Sequence, residues 1–493
     1  MTSVRVDCPV ATDEGAAVHA PAERSPRSER QRPTPVPRQR DFGLDEMFFS
    51  TTDGKGRITS GNRVFERVSG YGGTQLVGRP HNLVRHPDMP RAVFQLLWDY
   101  LQAGRPIAAY VKNLAADGAY YWVLATALPV QGGYLSVRIK PSAPYLALVE
   151  AAYGEVLALE RSLEAEGATR KEAIALTLAR LGEIVVDAGF RDYESFMGAA
   201  LAAELTSREL GRTARPGPSP GQALRSPELA EILDSCSAVE AHMHTLFAAL
   251  EGFGRVNETL VGKAAFVLQL ADSVRLLALN AMIAAARLER EGDVLGAVAR
   301  MLGARSHAIA RVVGAVSEDL DEILGLLDRL EFRVALAKLQ TEMTACFARE
   351  LDETRDEGRS ATGRGVEDDL ALLARCLRAG AEEAFDSLRA LDGALARVGG
   401  HVGRLTSGLK ALGALQTGGR IEATRTDAAS FILLFREVSD QVAAARVELA
   451  EVERIARESR AVALSRGELR ARDHLARIDA RAAGLVALTR SPR

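Results

Sequence analysis

At Pro144 the chain changes character. Before it, short apolar runs bounded by Gly, Asp and Pro alternate with turns; after it, strand signals stop and Ala, Leu, Glu and Arg dominate with apolar residues at helical spacing. A chain divided this way cannot be one layered fold. It predicts a multidomain protein: an α+β domain with an antiparallel sheet and flanking helices, then an all-α part built as a long helical hairpin or four-helix bundle.

Several local signals refine the first part. Phe48 to Thr52, the turn Asp53-Gly54-Lys55-Gly56 and then Arg57-Ile58-Thr59 read as a hairpin. Ile107 to Lys112, Tyr120 to Leu128 and Gly133 to Lys140 read as strands, with turns at Ala116 to Ala119 and Gln131 to Gly133. Helical spacing fits Gly61 to Val68 and Pro90 to Ala103. Residues 1–40 mix Pro, Arg, Ser and Glu with almost nothing to anchor a core, so a disordered tail is expected there.

Within the helical part, the Pro/Gly/Ser run of Arg215 to Gly221 predicts a linker over 212–225, which separates a connector over 146–211 from a bundle over 226–475 and a C-terminal tail over 476–493. Ser226 and Pro227 read as N-cap and first helical residue. The aromatic run Gly189 to Met197 reads as packing of the connector beside the first domain.

With 493 residues, a formal charge of -3 and 47% hydrophobic residues, the chain can bury more than one core and carries no basic signature of nucleic-acid binding. Neither a secretory signal nor a run of about 18 apolar residues stands out, so no transmembrane segment and a cytoplasmic location are expected. Cys8, Cys236, Cys346 and Cys376 fit neither a zinc site nor a disulfide framework and read as reduced thiols. No catalytic constellation appears, so an enzyme is not expected.

One stretch carries more than pattern: Gly78-Arg79-Pro80-His81-Asn82-Leu83-Val84-Arg85-His86-Pro87-Asp88-Met89-Pro90, followed by Phe94 and Trp98. With Phe48 to Asp53, Val68-Ser69-Gly70-Tyr71, Val111-Lys112-Asn113, Tyr120 to Val123, Pro129-Val130 and Gly133 to Arg138, it resembles the PAS domain of bacterial aerotaxis receptors over residues 41–145. The resemblance implies non-covalent FAD and a report on cellular redox state. It carries over to Asn62, although Ser60-Gly61 before it departs from the family, and to Arg85, His86, Asp88, Trp98, Asn113 and Tyr121.

Cationic, amide and aromatic side chains suit a flavin's pyrophosphate, ring edges and ring faces. Read without the family, Arg85, His86 and Asp88 are a salt-linked cap before the Pro90 helix and Trp98 is core. Haem on His86 is a lesser alternative to FAD. Under the flavin reading, a redox change alters hydrogen bonding at the ring edge, through Asn62 or Asn113, and shifts the balance between two packings of the sheet.

The segment Leu276 to Arg287 resembles the hairpin-tip helix of methyl-accepting chemotaxis receptors, with Ala284 where the family has a glutamate and Arg300-Met301 where it has an acidic pair. A second echo, Gly419 to Arg425 with Phe431 and Phe435 to Val438, suggests an internal repeat and one chain that supplies both hairpins. Arms are then expected over 227–289, 293–350, 366–424 and 427–470. Leu276 to Leu279 read as a buried stripe, Asn280 as a core position that fixes register, and Glu382-Glu383 as a solvated acidic pair. The resemblance implies the chemotaxis kinase and its coupling protein as partners, with the altered tip weakening that implication, and it leaves self-association open. The functional expectation is a redox or oxygen sensor; the alternative is a cofactor-free PAS scaffold or adaptor.

Overall fold

The computed structural model describes residues 32–213, 226–286, 292–354, 365–426, 428–463 and 467–490. Expectations that fall on residues 1–31, on most of the 212–225 linker, on the tip turn at 287–291 and on Cys8 lie outside them. A five-stranded antiparallel sheet comes first: β1 Met47–Asp53, β2 Ile58–Gly61, β3 Ile107–Leu114, β4 Tyr120–Val130 and β5 Gly133–Ile139, in the order β2-β1-β5-β4-β3. The Asp53 carboxylate closes the first hairpin by accepting from the backbone N–H of Lys55 and Arg57, at 2.8 Å each.

Between β2 and β3 lie α1 Arg63–Ser69, α2 Gly73–Leu76, a 3-10 turn His81–Val84 and α3 Arg91–Gln102. Asn62 caps α1, its side-chain oxygen accepting from Phe65 N. Pro90 precedes α3, where a missing N–H costs nothing.

Side chains alternate across the sheet, and both faces are covered. One face, with Phe48, Ser50, Ala125, Ala127, Ser136 and Arg138 at paired register positions, looks toward α3 and the 3-10 turn. The other carries Phe49, Tyr110 and Trp122. These meet the helices that follow: Phe49 packs edge-on against Phe347 with ring centroids 4.9 Å apart, and Trp122 lies 6.3 Å from Tyr153.

After the sheet, α4 Tyr145–Ala165, α5 Arg170–Asp187 and α6 Tyr193–Thr213 form the connector as three helices. Its aromatic run is packing, as expected, with Phe190 and Phe196 against Tyr145 and the Tyr193 hydroxyl donating to Ala108 O at 3.0 Å. The long helices α7 Pro227–Ala285, α8 Gly292–Thr354, α9 Val366–Arg425 and α10 Ala429–Ala463 pack in a closed ring, so one chain supplies a four-helix bundle. Ser226 caps α7 with Pro227 in its first turn.

Five expectations need correction. The tail does not run free to residue 40: Val36 N donates to Gly118 O at 2.9 Å, Arg40 N donates to Tyr120 O at 2.7 Å, and Arg38 and Arg40 both pair with Asp117. Residues 476–490 are no tail either, because α11 Glu468–Arg490 packs on α7 and α9 and buries Leu475, Ile478, Ala482 and Leu485. Near the tip the buried stripe is Ala271, Val274, Ala278, Ala281 and Ala285, which leaves Leu276, Leu279 and Asn280 exposed. Small core residues let helices approach closely and turn the leucines outward. Glu382 is tied to Arg472 of α11 at 3.0 Å. Finally, one helical stretch, Ala265–Ala285, is long and apolar enough to cross a membrane by length and composition, although its small side chains form part of the bundle core.

Candidate functional site

Inside the α+β domain, a cavity of about 270 Å³ opens between the inner face of the sheet, α3 and the 3-10 turn. Its volume comes from side chains too small to fill the gap: Ser50, Ala125, Ala127 and Ser136 sit at inward positions of β1, β4 and β5. Trp98 and Phe94 of α3 form an aromatic wall, and Trp98 lies edge-on to Tyr134 at 5.3 Å. Gly56 holds a backbone φ of 72° at the rim, where a Cβ would come within 3.3 Å of the Trp98 ring.

The polar groups of the cavity are distinctive. Arg138 is 4% exposed, yet among the described residues no carboxylate pairs with it. Its guanidinium donates to Ser50 Oγ at 3.0 Å and to His81 Nε2 at 2.7 Å. Burial pushes its pKa down to about 10, still far above neutrality, so it remains a cation. His81 accepts that bond at Nε2, which leaves its ring proton on Nδ1. Burial and then the Arg138 charge push its pKa down to about 3, so the imidazole is neutral.

Asn113 of β3 reaches the same cavity, and its buried Nδ2 has no acceptor among the described residues. Arg85 lies with its guanidinium 3.9 Å over the Phe94 ring and donates to Met89 O at 2.8 Å; burial pushes it down to about 10.

Of the seven residues expected at a flavin site, Arg85, Trp98 and Asn113 line the cavity. Four do not. Tyr121 is fully buried beside Phe48, its rings 6.4 Å apart and its hydroxyl without a partner; burial raises its pKa well above the usual phenol range. His86 and Asp88 form a cap on the edge of β3: His86 Nδ1 accepts from Asp88 N at 3.1 Å, and Lys112 pairs with Asp88 at 2.8 Å. Burial works against ionisation of Asp88, but the bond and charge of Lys112 hold it below its ordinary value. His86 is therefore placed for a structural role and not as a ligand to iron in this cavity.

Asn62 faces the bundle. Its Nδ2 donates to Met47 O at 3.2 Å and to Glu350 Oε2 of α8 at 3.1 Å, while its Oδ1 accepts from Phe49 N at 3.3 Å. Glu350 also accepts from Arg63 N at 2.8 Å, and Ser60 donates to Asp369. Deeper in the junction, buried Arg208 of α6 pairs with Glu342 of α8 at 2.5 Å, and Glu204 accepts from the Tyr110 hydroxyl at 2.7 Å. The sheet domain is thus bolted to the helices through its outer face.

The residues present fit a flavin ring. Among the described residues, a guanidinium without a carboxylate partner and a buried amide nitrogen without an acceptor face a cavity walled by aromatic side chains, as a planar ring with polar edges requires. At about 270 Å³ the cavity lies just below the roughly 300–1,000 Å³ usual for small-molecule sites, so it can take a ring system only with the rest of the dinucleotide outside.

The family model described as the PAS fold matches residues 58–136. The chain is 43% identical over 114 residues to the aerotaxis receptor of Escherichia coli (strain K12) and 33% identical over 81 residues to the nitrogen fixation regulatory protein of Klebsiella pneumoniae. Those stretches cover 22% and 16% of this chain and 22% and 16% of the two curated relatives, so the chain covers well under two thirds of either. Among solved structures, the light state of the blue-light photoreceptor Aureochrome1 LOV is 26% identical, with 20% of this chain and 85% of that one covered and a TM-score of 0.19. The PAS domain of a protein from Colwellia psychrerythraea is 21% identical, with 19% and 85% covered and a TM-score of 0.17. Residues 58–136 therefore form a PAS domain, in a stretch that is similar in sequence to part of an aerotaxis receptor.

Proposed function

We propose that the PAS cavity holds the isoalloxazine ring of FAD and that the chain is a non-catalytic redox sensor acting in the cytoplasm. The observation that carries this reading is Arg138, a buried cation with no carboxylate partner among the described residues, beside the unpartnered amide of Asn113. When bound, a flavin supplies a ring system whose charge and protonation change as it gains electrons. Arg138 favours negative charge at the ring, and neutral His81 holds the guanidinium without competing for that charge. Asn113 supplies a donor to the ring edge, Trp98 and Phe94 supply apolar surface, and Arg85 offers a cation toward the phosphates.

A change at Arg138 reaches the bundle by a short path. Ser50 holds Arg138 on the inner face, and its neighbour Phe49 packs on Phe347 of α8 on the outer face. At the far end of the bundle, Leu276, Leu279 and Ile283 of α7 with Ile421 of α9 are exposed apolar residues where the chemotaxis-receptor resemblance expects a kinase and coupling-protein surface.

The test is reconstitution. Titrating FAD into the chain is expected to quench Trp98 fluorescence and saturate, with Arg138→Met and Asn113→Ala each weakening affinity at least about tenfold. A chain that takes up no FAD, while remaining folded, would leave the scaffold reading, which the extensive polar junction through Asn62, Arg208 and Glu204 favours.

A further inference from the structure

The PAS cavity is one-sided in charge. Its lining includes Lys55, Arg85 and Arg138 and no aspartate or glutamate. Carboxylates around the 3-10 turn and the start of α3 are already engaged, Glu160 and Glu164 with Arg91 and Asp88 with Lys112. A site that gathers cations and excludes acids favours an anionic ligand. Arg138 lies deep in it, whereas Arg85 is half-buried.

The segment that precedes the sheet brings a further cation. Residues 34–40 run along the β3–β4 turn on a built path: Tyr120 N donates to Arg38 O at 3.0 Å and Val36 N to Gly118 O, while Arg38 and Arg40 pair with Asp117. Gly118 is suited to this path, because it holds a φ of 83° and a Cβ there would lie 2.2 Å from Thr34 O.

Followed back along that path, the arm sets Arg32 on the 3-10 turn, where its guanidinium donates to Asn82 O at 3.2 Å. Asn82 lines the cavity, and the same carbonyl accepts from Arg85 N at 3.2 Å. Arg32 is near enough that its charge disfavours that of Arg85, and neither makes an ion pair among the described residues. Two guanidiniums gathered without a carboxylate are stabilised by a shared anion, and their planar forks suit phosphate oxygens.

We infer that Arg32, carried by the N-terminal arm, and Arg85 clasp the diphosphate of a flavin dinucleotide whose ring occupies the PAS cavity. The inference rests on the flavin reading of that cavity and assigns it a binding residue outside the 58–136 stretch that matches the PAS fold. The arm then makes the site selective for FAD over riboflavin, which has the same ring and no phosphate.

Titration of the full chain with FAD and with riboflavin, followed by quenching of tryptophan emission, tests this. Arg32→Ala, a change at an exposed side chain, should weaken FAD about fivefold and leave riboflavin unchanged. Arg32→Lys keeps the charge and should recover part of the loss. Added salt should weaken FAD more in the native chain than in Arg32→Ala. Equal FAD affinity in the native chain and Arg32→Ala, or an equal loss for riboflavin, would overturn the role of the arm and leave the flavin reading standing. A larger FAD loss in Lys55→Ala than in Arg32→Ala would seat the phosphates at the β1–β2 turn and overturn it too. A folded chain that binds neither ligand would overturn both readings.

Discussion

Replacing Arg138 with Met should separate stability from ligand binding. The native guanidinium is held away from water, and the fall of its pKa from 12.5 to about 10 corresponds to about 3 kcal/mol of unfavourable burial at about 1.4 kcal/mol per unit. Against that stand its bonds to Ser50 and His81 and a long one to Ser136 O at 3.5 Å, together about 2 kcal/mol at about 0.5–1.5 each. Methionine is apolar and of similar length, so the flavin-free variant should match the native chain within about 1 kcal/mol or exceed it. FAD should stabilise the native chain and not the variant.

Urea denaturation followed by tryptophan emission measures this cleanly, because the chain's two tryptophans, Trp98 and Trp122, both lie in the PAS domain. A flavin-free variant less stable by about 3 kcal/mol or more would show that Arg138 is a structural anchor, and the reasoning about an unpaired charge awaiting a ligand would be refuted.

Other perturbations follow from the same geometry. His81 has a folded pKa of about 3 against an ordinary 6.5, so its contribution to stability is fully present above pH 6.5 and is lost as pH falls toward 3. About 2 kcal/mol should disappear by about pH 5, and His81→Asn should flatten that part of the urea-midpoint profile; an unchanged slope would assign the acid sensitivity elsewhere. At the junction, a double-mutant cycle of Asn62→Ala and Glu350→Gln should give a coupling of about 1 kcal/mol or more, and strict additivity would mean that their hydrogen bond carries no weight. Phe347→Ala should cost about 3 kcal/mol by emptying the contact with Phe49 and should slow any redox-dependent change in the bundle, read by hydrogen exchange of α8.

Much of this architecture is written in local pattern. The Asp53 to Gly56 turn, the alternation within β3 to β5 and the Ser226-Pro227 start of α7 each follow from short-range chemistry, and the structure has them within a few residues of where the sequence puts them. The site was harder to read. In Leu135-Ser136-Val137-Arg138-Ile139 the apolar residues alternate with polar ones, which ordinarily marks a solvent face. Here helices cover both faces, so Ser136 and Arg138 point into a cavity, and only the register with Ser50 and Ala125 reveals it.

Asn62 was misplaced for a related reason. Its decisive partner, Glu350, is 288 residues away, and nothing local distinguishes an asparagine that caps a helix from one that also bonds a distant carboxylate. The outward leucines of α7 show the same limit: a period of seven fits Leu276 and Ile283 as well as Val274 and Ala281, and the tight packing of small residues decides between them.

A flavin held in the PAS cavity would give the chain a visible chromophore. The visible absorption spectrum of the full chain, purified under mild conditions and then chemically reduced, tests it most directly. A yellow chromophore that bleaches on reduction, is released by heat as FAD and is missing from Arg138→Met is the predicted result; a folded, colourless chain that retains no FAD after incubation with it and removal of the unbound cofactor would contradict it.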